Sequence, residues 1–398
     1  MNAARERIVI TGAGVISALG AGAESFERRL YDGASGIGGG GLAEIADFDP
    51  QQWLGTKGVR VLDRSARLLC VAARMALGER GLVEGDHGEG DPELGMICGT
   101  MFGPLHSIVS FDWSGLTDGP SYVNPMEFAN TVINSPAGQA AIRFKLRGIN
   151  ATVCAGLASG LYAMQYAVQA LRSGRVRVLL AGGVEELCEE SVLGFRKTGV
   201  SAPSGSIRPF RRDSDGTVLG EGSALMMVES AESAGTRGAT PWAEISGFGC
   251  AHDAASISAY HVPADGAVAA IEQALDSAGI GPEQIGCVIA SASGSRAGDA
   301  MEARALTSVF GDRLSRIPVS APKAAFGEAM GASGALCALA GAMALRTAIA
   351  PPTAGFERTD DALRMSATPE PFDGDFVLVN AFSCDGNSAA LVLGRWRA

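Results

Sequence analysis

The apolar positions of the chain follow two alternating patterns. Short apolar runs lead into glycine-rich stretches, as in RIVITGAGVIS (7–17), and such a run predicts a strand that enters a glycine turn. Other segments, such as LYAMQYAVQALRSG (161–174), have apolar residues three and four positions apart, which predicts a helix with one buried face. Strands that alternate with helices predict βαβ-type layers, so the chain is expected to be an α/β protein.

The strand patterns occur twice, in the same order. Each pattern in the first half has a counterpart in the second, and the pairs are RIVITGAGVIS with WAEISGFGCAH (242–252), ELGMICGT (93–100) with QIGCVIASAS (284–293), and VLGEGSALMMVE (218–229) with SCDGNSAALVLG (383–394). A polar segment, SAESAGTRGATP, lies between the two sets. We therefore expect two halves of similar plan, residues 1–240 and 241–398.

The stretch TGAGVISALG also fits the first part of the dinucleotide-binding fingerprint, which is GxGxxG after a strand. Ser17 occupies the third glycine position, and no second strand ends in Asp or Glu about 20 residues further on. The pattern therefore favours a tight packing turn, and no cofactor is expected.

Composition argues against several classes of protein. Charged residues make up 19% and hydrophobic residues 47% of the 398 positions, which is untypical of disorder. The net charge of −11 disfavours a broad nucleic-acid surface, which needs clustered Lys and Arg. The longest apolar run, GASGALCALAGAMAL (331–345), is too short and too rich in small residues for a membrane span, so it predicts a buried helix.

The cysteines point to a reducing compartment. The eight residues include no CxxC pair, and most lie in apolar runs. This pattern favours reduced, buried thiols over a disulfide framework or a metal site. The N-terminal residues lead directly into the first strand with no apolar signal region. A cytoplasmic protein without a bound metal is therefore expected.

One segment has the composition of a reactive turn. In VCAGLASGLYAMQYA (153–167), small residues allow a tight turn at the start of a helix, where a nucleophile would gain from the helix N-terminus. The residue at the centre of that turn is Leu157, which has no nucleophilic atom. Cys154 lies three residues earlier, where the strand should still run into the turn, and a small buried apolar role is the expectation for it.

Several segments together resemble the β-ketoacyl synthases of fatty-acid and type II polyketide systems. The matching segments, in the order of that family, are VITGAGVISALG, FKLRGIN, RVLLAGGVEE, RPFRRDSDGTVLGEGSA, AGDAMEA, residues 323–334 and NAFSCDGNSAALVL. They extend over nearly the whole chain. The resemblance implies a thiolase-like fold, that is, a duplicated α/β architecture with five layers in the order αβαβα.

Members of the family resemble one another in using a Cys nucleophile, two His residues and a supporting Lys. The resemblance places Leu157 at the Cys position, Ser291 at the first His and Glu328 at the second His, while Lys323 is retained. Leu157 cannot accept an acyl group, Ser291 cannot change protonation near neutral pH, and an ionised Glu328 would repel an oxyanion. Cys384, in the last matching segment, is a further degenerate site position.

This pattern is similar to the chain length factor, a silent subunit that pairs with an active ketosynthase. Those subunits more often carry Gln at the Cys position, so Leu157 is a departure. The resemblance implies a heterodimer that receives a polyketide or polyene chain from an acyl carrier protein and encloses it in a tunnel. The side chains expected to line that tunnel are Leu105, Ile108, Val109, Asp112, Met126 and Phe128.

Other interpretations of the residues stay open. One is an active β-ketoacyl synthase or acyltransferase that uses a non-standard nucleophile such as Cys154. Another is a homodimeric scaffold that only holds an acyl carrier protein. Arg60, Arg64 and Arg67 are three to four residues apart and could face one side of a helix, where an acidic carrier would dock.

Overall fold

The computed structural model describes residues 6–79, 90–256, 259–357 and 363–397. The strands are β1 (Ile8–Ser17), β2 (Gly20–Ala21), β3 (Leu94–Gly99), β4 (Asn150–Val153), β5 (Val178–Glu185), β6 (Gly222–Ser230), β7 (Ala243–His252), β8 (Ile285–Ile289), β9 (Val319–Ser320), β10 (Ile349–Ala350), β11 (Glu370–Pro371), β12 (Phe376–Phe382) and β13 (Asn387–Gly394). The α-helices are α1 (Ala23–Tyr31), α2 (Gln51–Leu54), α3 (Arg64–Glu79), α4 (Leu105–Thr117), α5 (Ser135–Phe144), α6 (Ser159–Arg172), α7 (Glu189–Lys197), α8 (Ala231–Thr236), α9 (Asp265–Ala278), α10 (Arg296–Phe310), α11 (Lys323–Phe326) and α12 (Ser333–Thr347). Short 3-10 turns cover Val59–Val61, Phe128–Asn130, Pro282–Gln284, Gly311–Arg316 and Met330–Ala332.

The strand order of the main sheet is the same in the two halves of the chain. Its order is β4-β3-β5-β6-β1-β7-β13-β12-β8-β9, with β2 paired to β1. Strands β10 and β11 form a separate small sheet. If the main-sheet strands of each half are numbered in chain order, leaving out the short β2, both halves have the order 3-2-4-5-1 when read from the outer edge inwards. A short antiparallel pairing of β1 with β7 joins them, through Val9 with Glu244 and Ile10 with Ala243. The α/β class and the repeated plan are therefore confirmed.

The layers are those of a thiolase-like fold. Helices α6 and α12 pack against each other between the two half-sheets. Every residue of α12 from Ser333 to Leu345 is buried, so the prediction of a buried helix here is confirmed. Helices α3 and α5 cover the outer face of the first half-sheet, and α9 and α10 cover the second. One continuous apolar cluster contains α6, α12 and strands of both halves, so the halves share a core.

The predicted glycine turns are not turns. Strand β1 runs for ten residues through Gly12 and Gly14, and β7 runs through Gly247 and Gly249. A Cβ atom at Gly14 would lie 1.9 Å from the carbonyl oxygen of Ala72 in α3, and one at Gly249 would lie 2.0 Å from that of Ala270 in α9. These glycines therefore let a helix lie directly on the strand, so the pattern reports close packing and the turn prediction is wrong.

Within the described ranges, no helix is both long enough and apolar enough to cross a bilayer.

Candidate functional site

The segment between β4 and α6 forms the tight turn that its small residues predict. Gly156 has a positive φ of 58°, and a Cβ there would lie 2.3 Å from Ser383 Oγ and 2.6 Å from Asp385 Oδ2. Ser159 Oγ accepts the Ala155 N–H at 2.9 Å and lies 2.6 Å from the Gly156 carbonyl oxygen. Glycine at 156 is therefore required by both the conformation and the close approach of the chain after β12.

Leu157 fills the centre of this turn with an apolar side chain. It is 5% exposed and packs with Leu219 and Met330 in a small cluster separate from the main cores. The side chains around this cluster are Leu42, Met101, Phe102, Leu187, Val192, Phe195 and Tyr260. The Leu157 N–H, in the turn before α6, donates to Ser383 Oγ at 3.1 Å. The turn therefore offers neither a nucleophile nor a free backbone donor at position 157.

Ser291 follows β8 and is held on both sides by hydrogen bonds. Its Oγ accepts the Phe382 N–H at 3.0 Å, and its own N–H donates to Glu302 Oε1 at 2.9 Å. The cavity beside it is lined by Tyr260, Ser291, Ala292, Ser293, Gly298, Asp299, Glu302 and Phe382, and its volume is about 10 Å³. A cavity of that size holds about one water molecule. No acyl group fits beside Ser291 in this conformation.

Glu328 forms a buried ion pair with Lys323. Lys323 Nζ lies 2.7 Å from Glu328 Oε2, and both side chains are buried. Glu328 Oε1 accepts hydrogen bonds from Ser333 Oγ at 2.6 Å and from the Met330 N–H at 3.1 Å. Burial is the largest single effect and lowers the pKa of Lys323, but the charge and hydrogen bond of Glu328, together with Cys337 and Glu302, outweigh it and raise the Lys323 pKa. Lys323 is therefore held as a cation, and each of the two side chains is the other's charge partner.

The end of β12 and the loop after it connect these positions. Phe382 contacts Ser291 and Ser383 contacts Leu157 through the hydrogen bonds described above. Cys384 is half-buried; burial first, and then the charges of Asp385 and Glu328, raise the pKa of its thiol. The structure thus brings Leu157, Ser291 and Cys384 to one loop, and their assignment as degenerate catalytic positions stays a prediction.

Sequence reasoning missed three side chains that complete this region. Tyr260 packs on the Leu157 cluster and also lines the cavity beside Ser291. Burial raises the pKa of Glu302 to about 7 and that of Asp299 to about 6. Two acids three residues apart in AGDAMEA, in a helix with an apolar buried face, are a signal that could have identified both carboxyl groups.

Cys154 does not have the buried position expected of it. Strand β4 lies at the edge of the sheet and ends at Val153, so Cys154 emerges beside that edge and is exposed. Its Sγ lies 3.2 Å from the carbonyl oxygen of Met101. Partial burial first, and then the charges of Glu185 and Asp385, raise the pKa of the thiol. A raised pKa leaves less thiolate, which is the nucleophilic form.

The side chains expected to line a tunnel lie on helix α4 and on the segment that follows it, which together we call the α4 face (105–128). Helix α4 has no buried residue. The segment after it folds back, so that the ring centroids of Phe111 and Phe128 are 5.9 Å apart. Leu105 and Ile108 are half-buried, whereas Val109, Asp112, Met126 and Phe128 are exposed. Trp113, Leu116 and Tyr122 are also exposed on this face. Its assignment to a tunnel stays a prediction.

The three arginines do not share a helix, so that expectation is wrong. Arg60 lies in the separate 3-10 turn at Val59–Val61, and α3 begins at Arg64. Arg64 Nε donates to Glu221 Oε2 at 2.7 Å, and the Glu221 side chain is fully buried. The guanidinium of Arg64 therefore neutralises a buried carboxylate. Docking of an acidic carrier at Arg60 and Arg67 stays a prediction.

Comparison with known proteins identifies relatives over the whole chain. The model of the β-ketoacyl synthase N-terminal domain matches residues 38–234, and that of the C-terminal domain matches 242–357. The chain is 31% identical to 3-oxoacyl-[acyl-carrier-protein] synthase 2 of Coxiella burnetii over 411 residues, which cover 98% of this chain and 99% of that protein. It is 32% identical to nodulation protein E of Rhizobium sp. (strain N33) over 400 residues, which cover 97% of this chain and 98% of that protein.

A solved structure is also similar to this chain over nearly its whole length. The ishigamide ketosynthase/chain length factor superposes with a TM-score of 0.90 at 32% identity, covering 99% of this chain and 100% of that chain.

Proposed function

The chain belongs to the β-ketoacyl synthase family, and we propose that it is a catalytically silent member that pairs with an active ketosynthase. In this role it is a chain length factor, which helps to enclose a growing polyketide or polyene chain that an acyl carrier protein delivers. The observation that carries the proposal is Leu157, a buried aliphatic side chain at the centre of the turn where the resemblance places the family's nucleophile.

The groups around Leu157 support silence at every chemical step. Acyl transfer needs a nucleophile, and an oxyanion needs a free donor, but the Leu157 N–H is bonded to Ser383 Oγ. Decarboxylation needs groups that stabilise an enolate oxygen. Ser291 Oγ accepts the N–H of Phe382 at the end of β12, and Glu328 is paired with Lys323. None of these groups is therefore both positively charged or hydrogen-bond donating and free to contact an oxyanion or an enolate oxygen.

The α4 face supports pairing with a partner. Trp113 is 65%, Leu116 81%, Tyr122 80% and Met126 79% exposed. Contiguous exposed apolar side chains are typical of protein–protein interfaces. The ishigamide structure is described as a ketosynthase/chain length factor, so an assembly of those two kinds of subunit is the one we favour here. In such a pair, Leu105, Ile108 and Val109 would limit the depth of the tunnel that the partner's acyl chain enters.

An active enzyme that uses Cys154 is the alternative, and the exposure of this thiol favours it. Against it stands the raised pKa of the thiol, which follows from partial burial and from the charges of Glu185 and Asp385. A nucleophilic cysteine needs the opposite surroundings, with nearby cations or helix donors.

Intact-protein mass spectrometry tests the proposal. The isolated chain is incubated with an acyl-loaded and, separately, a malonyl-loaded acyl carrier protein, and a Cys154→Ala variant serves as the control. We expect no acyl adduct and no loss of carbon dioxide from the malonyl group. A stoichiometric adduct that is absent from Cys154→Ala would contradict silence and establish the alternative.

A further inference from the structure

The chain after β12 lies directly on the turn that holds Leu157. A Cβ at Gly156 would be within 2.6 Å of Asp385 Oδ2 and even closer to Ser383 Oγ, so both side chains touch this turn. Ser383 is buried, and its N–H donates to the Asn387 carbonyl oxygen at 2.9 Å, which closes a tight loop. The hydroxyl of Ser383 and the carboxylate of Asp385 are therefore fixed at the start of α6.

Ser383 occupies a donor that the turn would otherwise offer. Leu157 lies two residues before α6, in the tight turn, where a free backbone N–H would stabilise negative charge. Here the N–H of Leu157 is taken by Ser383 Oγ at 3.1 Å. An oxyanion or thiolate at this position would have to displace the hydroxyl to gain that donor.

Asp385 adds a negative charge at the same place. Its Oδ1 accepts the Asn387 N–H at 3.2 Å, and its Oδ2 accepts from Asn387 Nδ2 at 3.1 Å, so the carboxylate cannot swing away without losing both bonds. It raises the pKa of the Cys154 thiol, after burial and the charge of Glu185, and it raises the pKa of the Cys384 thiol, after burial. A carboxylate beside a thiol disfavours the thiolate because like charges repel.

We propose that Ser383 and Asp385 form a lock that holds any thiol at this turn in its protonated form and withholds the backbone donor from an oxyanion. The silence of the site then does not depend on Leu157 alone. The inference rests on the proposed function only in taking position 157 as the former nucleophile position, and it concerns ionisation of thiols rather than acyl transfer.

Alkylation of a thiol introduced by Leu157→Cys tests the lock. The rate of reaction with iodoacetamide is followed at pH 6.5–10 by mass spectrometry of the peptide that contains residue 157. We expect the midpoint to lie above the usual value of about 8.5. Adding Asp385→Asn should raise the rate at pH 7.5 about tenfold, because removal of an adjacent like charge lowers a pKa by about one unit or more. Adding Ser383→Ala should also raise it, since the N–H becomes free.

Asp373→Asn is the matched control, because Asp373 is exposed and precedes β12, whereas Asp385 follows it. The seven residues of β12 place the two carboxylates roughly 20 Å apart. The control should leave the alkylation rate of the introduced thiol unchanged.

The native thiol of Cys154 gives a second measurement that needs no change at Leu157. Asp385→Asn alone should raise its alkylation rate at pH 7.5 about threefold, a smaller effect because this thiol is exposed and Glu185 remains. Equal rates with and without Asp385→Asn at both thiols would overturn the lock and leave the proposed silence intact. An acyl adduct on Cys154 would instead contradict the proposed function, and the lock would still stand or fall by the effect of Asp385→Asn on the two alkylation rates.

Discussion

At the residue scale, the ion pair of Lys323 with Glu328 is costly to disturb because both side chains are buried. The two charges are buried and lie 2.7 Å apart. We expect Glu328→Gln to lower the free energy of unfolding by about 3–5 kcal/mol, because it leaves the Lys323 ammonium buried without a counter-charge. Urea unfolding followed by circular dichroism measures the change.

The double variant Lys323→Met with Glu328→Gln is the control for that prediction. Gln keeps an oxygen that can accept from Ser333 and from the Met330 N–H, while Met removes the buried charge. The double variant should therefore be more stable than Glu328→Gln alone. If the double variant is less stable than Lys323→Met and Glu328→Gln taken singly, the role of Glu328 is not to compensate the buried charge of Lys323.

Three buried carboxyl groups give the protein a defined pH dependence. Burial raises the pKa of Glu185 and of Glu302 to about 7 and that of Asp299 to about 6. The unfolded chain ionises them near pH 4, so the folded state binds more protons between about pH 4 and pH 7. Their contribution to the free energy of unfolding is therefore largest in acid and is lost as the pH rises through this window.

Glu185→Gln tests this sign. The decrease in unfolding free energy from pH 5 to pH 7.5 should be smaller in the variant than in the native protein by about 2 kcal/mol, since one of the titrating groups is gone. Glu283→Gln, an exposed change, should leave the decrease as it is. An identical pH dependence of the native protein and Glu185→Gln would show that this carboxyl group is ionised throughout.

The residues of the site were partly predictable from the sequence. The small residues around Leu157 predict the tight turn because such turns need glycine and close backbone approach, and the structure has both at Gly156. The exposure of Cys154 was not predictable, because it depends on β4 lying at the edge of the sheet, which is a property of strand order. The contact of Ser383 with Leu157 joins residues 226 positions apart and has no local signal.

At the scale of elements, helix α4 is the surface on which we expect the proposed pairing to depend. Replacing Trp113 and Leu116 together by Ser should abolish binding of a ketosynthase partner, because the centre of an interface depends on a few large apolar side chains. The same change should raise the solubility of the free chain. Co-purification with a tagged partner measures the binding. The soluble yield of the chain expressed alone measures its solubility. Trp53→Ser is the control, as Trp53 is a partly exposed apolar residue in α2, outside the α4 face; equal loss of binding in the control would count against an interface at α4.

The size of Ile108 is expected to set product length if the proposed tunnel exists. Ile108 is half-buried in α4. Ile108→Ala should lengthen the products of the reconstituted pair, and Ile108→Trp should shorten them, because extra volume in a closed apolar pocket costs about 1–3 kcal/mol. Mass spectrometry of the products gives the length distribution. Lower turnover with an unchanged distribution would mean that this segment is interface packing only.

The elements themselves were predictable in type but not in every boundary. Strands such as β1, β3 and β5 follow short apolar runs that are buried on both faces, amphipathic helices follow the 3.6 period, and the buried helix α12 follows from its apolar run. The glycines of β1 predicted a turn, and the structure has a continuous strand there. A glycine pattern cannot distinguish a turn from a strand under a closely packed helix, because both require the absence of a Cβ atom.

At the scale of the whole molecule, the duplication was visible in the sequence because each half repeats the same strand patterns. The shared core was not, since it forms only when α6 and α12 meet between the half-sheets. The division into residues 1–240 and 241–398 stays a prediction. Because β1 pairs with β7 and one apolar cluster extends through both halves, we expect a single cooperative unfolding transition.

The most direct test of the central claim is intact-protein mass spectrometry of the reconstituted pair. The chain is co-expressed with a ketosynthase, the complex is isolated, and it is incubated with an acyl-loaded carrier protein. We predict a one-to-one complex in which only the partner gains the acyl mass, while this chain keeps its native mass. A stoichiometric acyl group on this chain, or a stable homodimer that binds no ketosynthase, would contradict the account.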